Sequence, residues 1–499
     1  MPDENHSTPI WSRFYQSVTA QSKKPAIIDA LDGSSLTYGE LNQAAITFQT
    51  LFEEFRIDAI AIIGEPDLDA IPLVLSCALV NKCFIPLSQD DPSSRIRQVL
   101  DQIPYRTGTL SLREVPEVFD SAPRRLKLGR KSYFFYLKNA KTTAPDLAPP
   151  YLLTQSSGST GEPKLIAFAQ GTKVRRTDQS IELFSVTHQD VILSSSPLHH
   201  SLGQRHLFVA LLSGATLVKL SPFNPIAWLE AVKRFAVSFA IPVSTHLKIL
   251  RPELERDPSV LSTFRCLVAS SATADADLKA RLLKNTDFEL WEIYGMTETA
   301  CATAVRFSKT ENVSHVGKAI SGTNIRISPD SEEGQGEIEV LSDCLCDGYL
   351  NNDSLWESSI TEDGYFRSGD LGYFDDNENL VFLGRTTESF ESCGLLIFPA
   401  EIERVASKFP GVRDCVAFPI PNEIFGNLIA LAVLGDADLG RRDLLAYLRE
   451  ELSKNKVPAQ LFIQQAFPTL PSGKLDKHKL MREILDGQAI LSKSAEAKS

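Results

Sequence analysis

The sequence predicts an α/β fold: a large N-terminal domain of parallel-rich sheets covered by helices, joined by a hinge to a smaller α+β C-terminal domain. Three observations predict it. Short apolar runs alternate with helical segments through most of the chain. From residue 324 the strands become shorter and turn-punctuated, and beyond residue 387 a separate set of helices and strands follows. At 499 residues the chain exceeds what one compact core organises, so two or more domains are expected.

The elements follow in order. Thr37-Tyr38-Gly39-Glu40 has capping-box spacing, and Leu41, Ala44, Ala45, Phe48, Leu51, Phe52 and Phe55 recur at helical intervals behind it. Residues 59–63 read as a strand, 70–80 as a helix and 83–86 as a strand. Strands are expected again over 191–195, 216–220, 237–241, 266–269 and 288–294, with helices over 207–212 and 275–283. Polar or glycine-containing clusters follow several of these strands, and open α/β sheets bind ligands beyond the carboxyl ends of their strands. The boundary falls near Gly384-Arg385-Thr386-Thr387, dividing residues 1–385 from 386–499. The second part shows helices over 399–408 and 441–452 and strands over 415–419 and 429–434. Its polar, small-residue tail from Ala489 reads as frayed.

Composition narrows the partners. A formal net charge of -12 without a long basic run argues against nucleic acid and against an anionic membrane. No apolar run reaches spanning length, and the first residues lack the charged-then-apolar layout of an export signal, so a cytoplasmic protein is expected. The eight cysteines match neither zinc spacing nor a disulfide framework and read as reduced thiols.

The most informative segment is Ser156-Ser157-Gly158-Ser159-Thr160-Gly161-Glu162-Pro163-Lys164. Small residues let backbone N–H groups approach phosphate oxygens, hydroxyls add donors, and Lys164 adds a mobile positive charge. The alternative is a flexible Ser/Gly linker; Pro163-Lys164 and the strand-like Tyr151-Leu152-Leu153 before it speak against that. No Gly-Lys-Ser/Thr closes the segment, so it is not a Walker loop.

The segment resembles the phosphate loop of the adenylate-forming superfamily, which comprises acyl- and aryl-CoA synthetases, peptide-synthetase adenylation domains and luciferase. Further elements agree in order. They are Leu36-Thr37-Tyr38-Gly39-Glu40-Leu41, Tyr294-Gly295-Met296-Thr297-Glu298, Phe366-Arg367-Ser368-Gly369-Asp370, Gly384-Arg385 with Gly394, Pro399 and Glu401-Ile402-Glu403, and Pro471-Ser472-Gly473-Lys474. In style they are closest to stand-alone acyl or aryl acid ligases.

The resemblance implies ATP-dependent activation of a carboxylic acid to an acyl-adenylate, then transfer to CoA or to the phosphopantetheine of a carrier protein acting in trans. It implies that Tyr294 stacks on adenine, that Gly295, Met296, Ser271 and Ala272 line the nucleotide, and that Thr297 bonds the α-phosphate. Glu298 would hold Mg²⁺, Asp370 the ribose hydroxyls and Arg385 ribose or phosphate. Lys474 would neutralise charge between the attacking carboxylate and the α-phosphate. Pro197-Leu198-His199-His200-Ser201-Leu202-Gly203 resembles a ligase acid-pocket motif, in which His200 either orients the carboxylate or is a structural histidine. His199, Gly203, Val243, Ser244, His246 and Ser270 are the other acid-side candidates, and no Phe-Asp-x-Ser pattern marks a free α-amine.

Four departures from the family stand out: Leu165 for glycine, Ser270-Ser271-Ala272-Thr273 for Gly-Gly-Ala-Pro, Thr387 for the acidic or lysine hinge residue, and Glu391 for lysine. The last two bear on the acceptor. An amide-forming ligase and an inactive nucleotide-binding scaffold are the alternatives, and retention of Thr297, Glu298, Asp370, Arg385 and Lys474 speaks against the scaffold.

Overall fold

The computed structural model describes residues 8–140, 149–156, 164–270, 281–283, 288–307, 315–329, 334–392, 395–422, 426–435, 439–469 and 475–496. Ser157, Gly158, Ser159, Thr160, Gly161, Ser271, Ala272 and Lys474 lie outside them, as does most of the helix expected over 275–283.

The larger part is built on two sheets. In the nine-stranded sheet, Pro25–Asp29, Thr216–Lys219, Val191–Ser194, Phe239–Ala240, Cys266–Ala269 and Glu289–Met296 run parallel, side by side in that order. Antiparallel Ser35–Thr37 closes one edge; Ala300–Arg306 and Lys318–Ala319 close the other. The seven-stranded sheet is parallel at its centre, where Ala59–Ile63 lies between Cys83–Leu87 and Thr107–Ser111. Those three strands are buried along their whole length. Burial on both faces is what a near-continuous apolar run such as Ala59-Ile60-Ala61-Ile62-Ile63 requires.

Helix Tyr38–Glu54 starts as its sequence dictates. The Thr37 side chain accepts from the Glu40 N–H while Glu40 reaches back to the Thr37 N–H. Its apolar stripe joins helix Pro9–Gln21 in a core that spans both sheets, with Ile10, Phe14, Tyr38, Leu41, Ile60, Phe84, Phe168, Phe208 and Ile192 buried together. Helix Ser201–Ser213 runs through this core. His206 on it accepts from the Ile241 N–H through Nε2 and lies 3.3 Å from Ser194 Oγ through Nδ1. Burial pushes its imidazole down to about 3, so it stays neutral and keeps the acceptor that Ile241 needs.

A four-stranded antiparallel sheet, Thr323–Ile327, Gly336–Ser342, Phe366–Phe374 and Leu380–Arg385, follows. The smaller C-terminal domain has its own cores. Ile397, Ile402, Leu431, Leu444 and Leu448 form one; Val416, Phe418, Ala432, Leu480 and Ile484 form another on the opposite face of the sheet Val412–Asn422, Gly426–Gly435, Gln460–Gln464. One ion pair links this part to what precedes it, and a second lies within it. Lys248 Nζ lies 2.6 Å from Asp414 Oδ1, and Lys477 Nζ lies 2.8 Å from Glu388 Oε2. The last helix extends over Lys477–Glu496, across the tail that its composition marks as frayed. Most predicted elements are present with shifted ends: the second helix begins at Pro72 rather than residue 70, and the strand expected over 237–241 is only Phe239–Ala240.

Candidate active site

Three parallel strands of the larger sheet end on the same edge, and the polar clusters that follow them meet there. After Val191–Ser194 comes Ser195, whose Oγ lies 3.4 Å from His246 Nδ1. After Phe239–Ala240 comes Val243, which bridges to Ser270 beyond the end of Cys266–Ala269. The Ser244 N–H and Oγ–H both donate to the Ser270 carbonyl at 3.1 Å. Ser270 Oγ is buried with no hydrogen-bond partner among the described residues. Val243, Ser244, His246 and Ser270 are thus brought together.

His246 is itself enclosed. Its ring stacks on Phe223 at 3.7 Å between centroids, and burial pushes its imidazole down to about 4. His199 and His200 lie ring to ring at 4.3 Å at the start of helix Ser201–Ser213, and burial also lowers the His199 imidazole. Their loop is fixed from outside the motif: Glu65 accepts from the Leu198 N–H at 2.8 Å and pairs with Lys219 at 3.3 Å. Gly203 is required sterically, because a Cβ there would meet the Pro197 carbonyl oxygen at 2.2 Å.

Gly295 answers to the same constraint. A Cβ at Gly295 would lie 1.9 Å from the Ala300 carbonyl oxygen, so only glycine closes the turn that displays Met296, Thr297 and Glu298. Arg176, buried on helix Gln170–Leu183, holds this turn by donating to the Thr297 carbonyl at 2.7 Å and to the Glu298 carbonyl. It also donates to the Cys344 carbonyl at 2.7 Å.

The segment starting at Cys344 runs antiparallel beside strand Lys164–Phe168, with the Ala167 N–H on the Gly348 carbonyl and the Leu350 N–H on the Leu165 carbonyl. This places the Tyr349 hydroxyl 3.1 Å from Glu298 Oε1, and Lys164 Nζ 5.5 Å from the centre of the Tyr349 ring. Burial raises the Tyr349 phenol, so it stays protonated and donates to the carboxylate. Leu165 is buried in the adjoining core with Leu153, which accounts for the apolar residue at that position.

A second constellation joins two sequence elements. Asp370 and Arg385 are register partners on neighbouring strands, with Arg385 Nε 3.0 Å from Asp370 Oδ1. Tyr294 donates to Asp370 Oδ2 at 2.8 Å and packs at 5.8 Å from Phe382. Asp370 is buried, yet its Oδ1 accepts no well-aligned hydrogen bond among the described residues. Burial raises its carboxyl despite Arg385 and Tyr294. Such an under-satisfied buried carboxylate suits a ligand that brings hydroxyl donors.

Thr387 is exposed in the turn after Arg385, and Thr386 anchors that turn by donating from its N–H and its hydroxyl to the Gly369 carbonyl. Glu391 is exposed on the hairpin that follows. The loop carrying Lys474 is closed on its described flanks by the Thr469–Leu475 bridge. Arg176, Tyr349, Glu65 and Lys219 were not singled out by sequence reasoning. The one local signal was Gly348, whose φ of 120° requires glycine beside Tyr349.

The AMP-binding enzyme family model matches residues 14–350, and the AMP-binding enzyme C-terminal domain model matches residues 401–474. The chain belongs to the AMP-binding enzyme family. Within it, the 2-succinylbenzoate–CoA ligase of Bacillus licheniformis is 30% identical over 331 residues, 65% of this chain and 68% of that protein. The feruloyl-CoA synthase of Amycolatopsis sp is 27% identical over 476 residues, 91% of this chain and 94% of that one. Two solved structures share the fold. The O-succinylbenzoate coenzyme A synthetase of Bacillus subtilis in complex with AMP has a TM-score of 0.78 at 24% identity, covering 95% of this chain and 98% of that one. ATP-bound MatB of Rhodopseudomonas palustris has a TM-score of 0.78 at 21% identity, covering 94% and 97%. The chain is therefore an AMP-forming ligase of the acid-activating type.

Two substitutions probe the constellations. A hydrogen bond to a charged group contributes about 1.5–3 kcal/mol. Tyr349→Phe is therefore expected to lower kcat/KM for adenylation roughly 10-fold or more while the melting temperature changes little. Asp370→Asn should weaken nucleotide binding, read as a higher KM for ATP. Because the folded-state pKa is raised, this carboxyl favours the folded state below the ordinary carboxylate range and opposes it as pH rises through the folded value. The Asn variant should thus melt at or above the parent near about pH 7.5, with the difference closing toward about pH 4, as calorimetry would show.

Proposed function

We propose that this enzyme activates a carboxylic acid lacking a free α-amine as its acyl-adenylate, releasing pyrophosphate, and then passes the acyl group to the thiol of CoA. The observation that carries the reading is that the Lys164–Tyr349–Glu298 group and the Tyr294–Asp370–Arg385 group are built on the two ends of the one segment Tyr294–Glu298, which suits the phosphate and ribose ends of one nucleotide. The attacking carboxylate oxygen bonds to the α-phosphorus as the bond to the bridging oxygen of pyrophosphate breaks. Because anions are brought together, catalysis rests on positioning and on charge stabilisation.

In this reading Ser156, Ser157, Gly158, Ser159, Thr160, Gly161 and Lys164 hold the phosphates, and Thr297 bonds the α-phosphate. Tyr294, Gly295, Met296, Ser271 and Ala272 hold the adenine side, and Asp370 and Arg385 hold the ribose. Lys474 neutralises charge at the reacting oxygens. Mg²⁺ suits the donor set: Glu298 pairs with a neutral phenol and with no cation among the described residues, so it keeps the charge a hard cation takes with phosphate oxygens. The ion would neutralise phosphate charge there.

The acid lies among His199, His200, Gly203, Val243, Ser244, His246 and Ser270. No aspartate occupies residues 242–246 to pair an α-amine, and the relatives named above are CoA ligases of aromatic acids. The division at 385/386 with Thr387 as hinge supports a second orientation for the thiol step, since a short hydroxyl residue in an exposed turn absorbs a φ/ψ change. A carrier-protein thiol is the second acceptor to test, because the reversed charge at Glu391 should alter how an anionic CoA or pantetheine phosphate is received.

Acid-dependent exchange of labelled pyrophosphate into ATP, over aromatic, aliphatic and hydroxy acids, tests the first half-reaction. AMP release with CoA, holo-carrier and amines supplied separately tests the second. Exchange with at least one acid and acceleration by CoA are expected; acceleration by an amine alone would overturn the thiol reading. Lys474→Ala should lower exchange by about 100-fold or more with the fold intact.

A further inference from the structure

Helix Gln170–Leu183 buries polar residues. Lys173, Arg176, Thr177 and Ser180 face inward at helical spacing, where an amphipathic helix would carry apolar side chains. Buried Lys173 and Arg176 meet the half-buried Arg205, from helix Ser201–Ser213, around a small cavity also lined by Thr177, Ser201, Phe208 and Ala300. The cavity has room for one water-sized particle.

The charges around it do not balance. Lys173 donates to the neutral Gln204 at 3.2 Å and lies over the rings of Phe168 and Phe208 at 5.0 and 5.1 Å. Arg176 gives three of its five N–H donors to backbone carbonyls, which carry no charge. Arg205 has no hydrogen bond or ion pair to a carboxylate among the described residues. The acidic groups that act on these cations are the thiols of Cys301, Cys344 and Cys346, and Glu298 beyond Arg176. Burial raises all three thiols, Cys301 and Cys346 to about 12, so they remain neutral. The Lys173 ammonium is itself driven well down by burial and by the two guanidinium groups. Buried charge without a counter-charge is costly, and an ion in the cavity removes that cost.

We propose that this cavity is a binding site for one small inorganic monovalent anion, chloride or bromide, held by Lys173, Arg176 and Arg205. Because Arg176 also holds the Thr297 and Glu298 carbonyls, an anion here stiffens the turn that displays those residues. The site does not depend on which acid the enzyme activates.

The test uses the full-length protein. Its melting temperature is measured in sodium chloride, sodium bromide and sodium gluconate at equal ionic strength, and crystals grown in bromide are examined for anomalous scattering. Halides should raise the melting temperature saturably by about 2 °C or more over gluconate. An anomalous peak should lie between Lys173, Arg176 and Arg205. Arg205→Met should lose the halide increment and, in gluconate, melt at or above the parent. Equal melting in all three salts with no peak in the cavity would overturn the proposal. So would a halide increment that persists in Arg205→Met with the bromide bound elsewhere. If Arg205→Met does not fold, the bromide position in the parent decides.

Discussion

Arg176 is the point on which the site's geometry depends. It emerges from the helix that follows strand Lys164–Phe168, and its three nitrogens fasten the Thr297 and Glu298 carbonyls and the Cys344 carbonyl. Three stretches far apart in sequence are thereby held at one place. Each hydrogen bond from a charged donor contributes about 1.5–3 kcal/mol, and losing the guanidinium would also strand buried carbonyls. The Cys346 N–H, donating to the Glu298 carbonyl at 2.8 Å, adds a direct tie between two of those stretches. The Glu298 carboxylate can then be aimed by one phenol, because its backbone is already fixed.

The same economy governs charge. The chain is acidic overall, with a formal net charge of -12, yet it handles a polyanion in our reading. It does so by putting few cations in set places. Lys164 sits over Tyr349, Arg385 faces a buried carboxylate, and a cluster of cations lies behind the Thr297 turn. The smaller domain also meets the larger part through a polar contact, Lys248 with Asp414. A partly exposed ion pair of this kind contributes little and releases easily.

How much of this was legible in the sequence follows from the range of each interaction. Helix Tyr38–Glu54 was readable because its cap and stripe are local, and the central strands were readable because burial on both faces leaves an unbroken apolar run. Tyr294, Glu298, Asp370 and Arg385 were readable as motif members, and the structure pairs Tyr294 with Asp370 and Asp370 with Arg385. Arg176 and Tyr349 were not. Lys173, Arg176 and Thr177 look like a solvated helix face, and only the tertiary structure shows that this face is buried. Gly203 and Gly295 stood in the motifs as ligand-side residues, while the structure supplies a steric reason for each. The tail went the other way: its composition suggests fraying, and it continues as helix to Glu496.

The most direct test of the account is acid-dependent pyrophosphate exchange in Arg176→Lys. Lysine keeps the buried charge but cannot span three carbonyls with a planar fork. The account predicts a folded protein, judged by circular dichroism and a cooperative melt, whose exchange rate falls about 10-fold or more. Exchange at the parental rate in a folded Arg176→Lys variant would contradict the claim that this one guanidinium sets the geometry of the site.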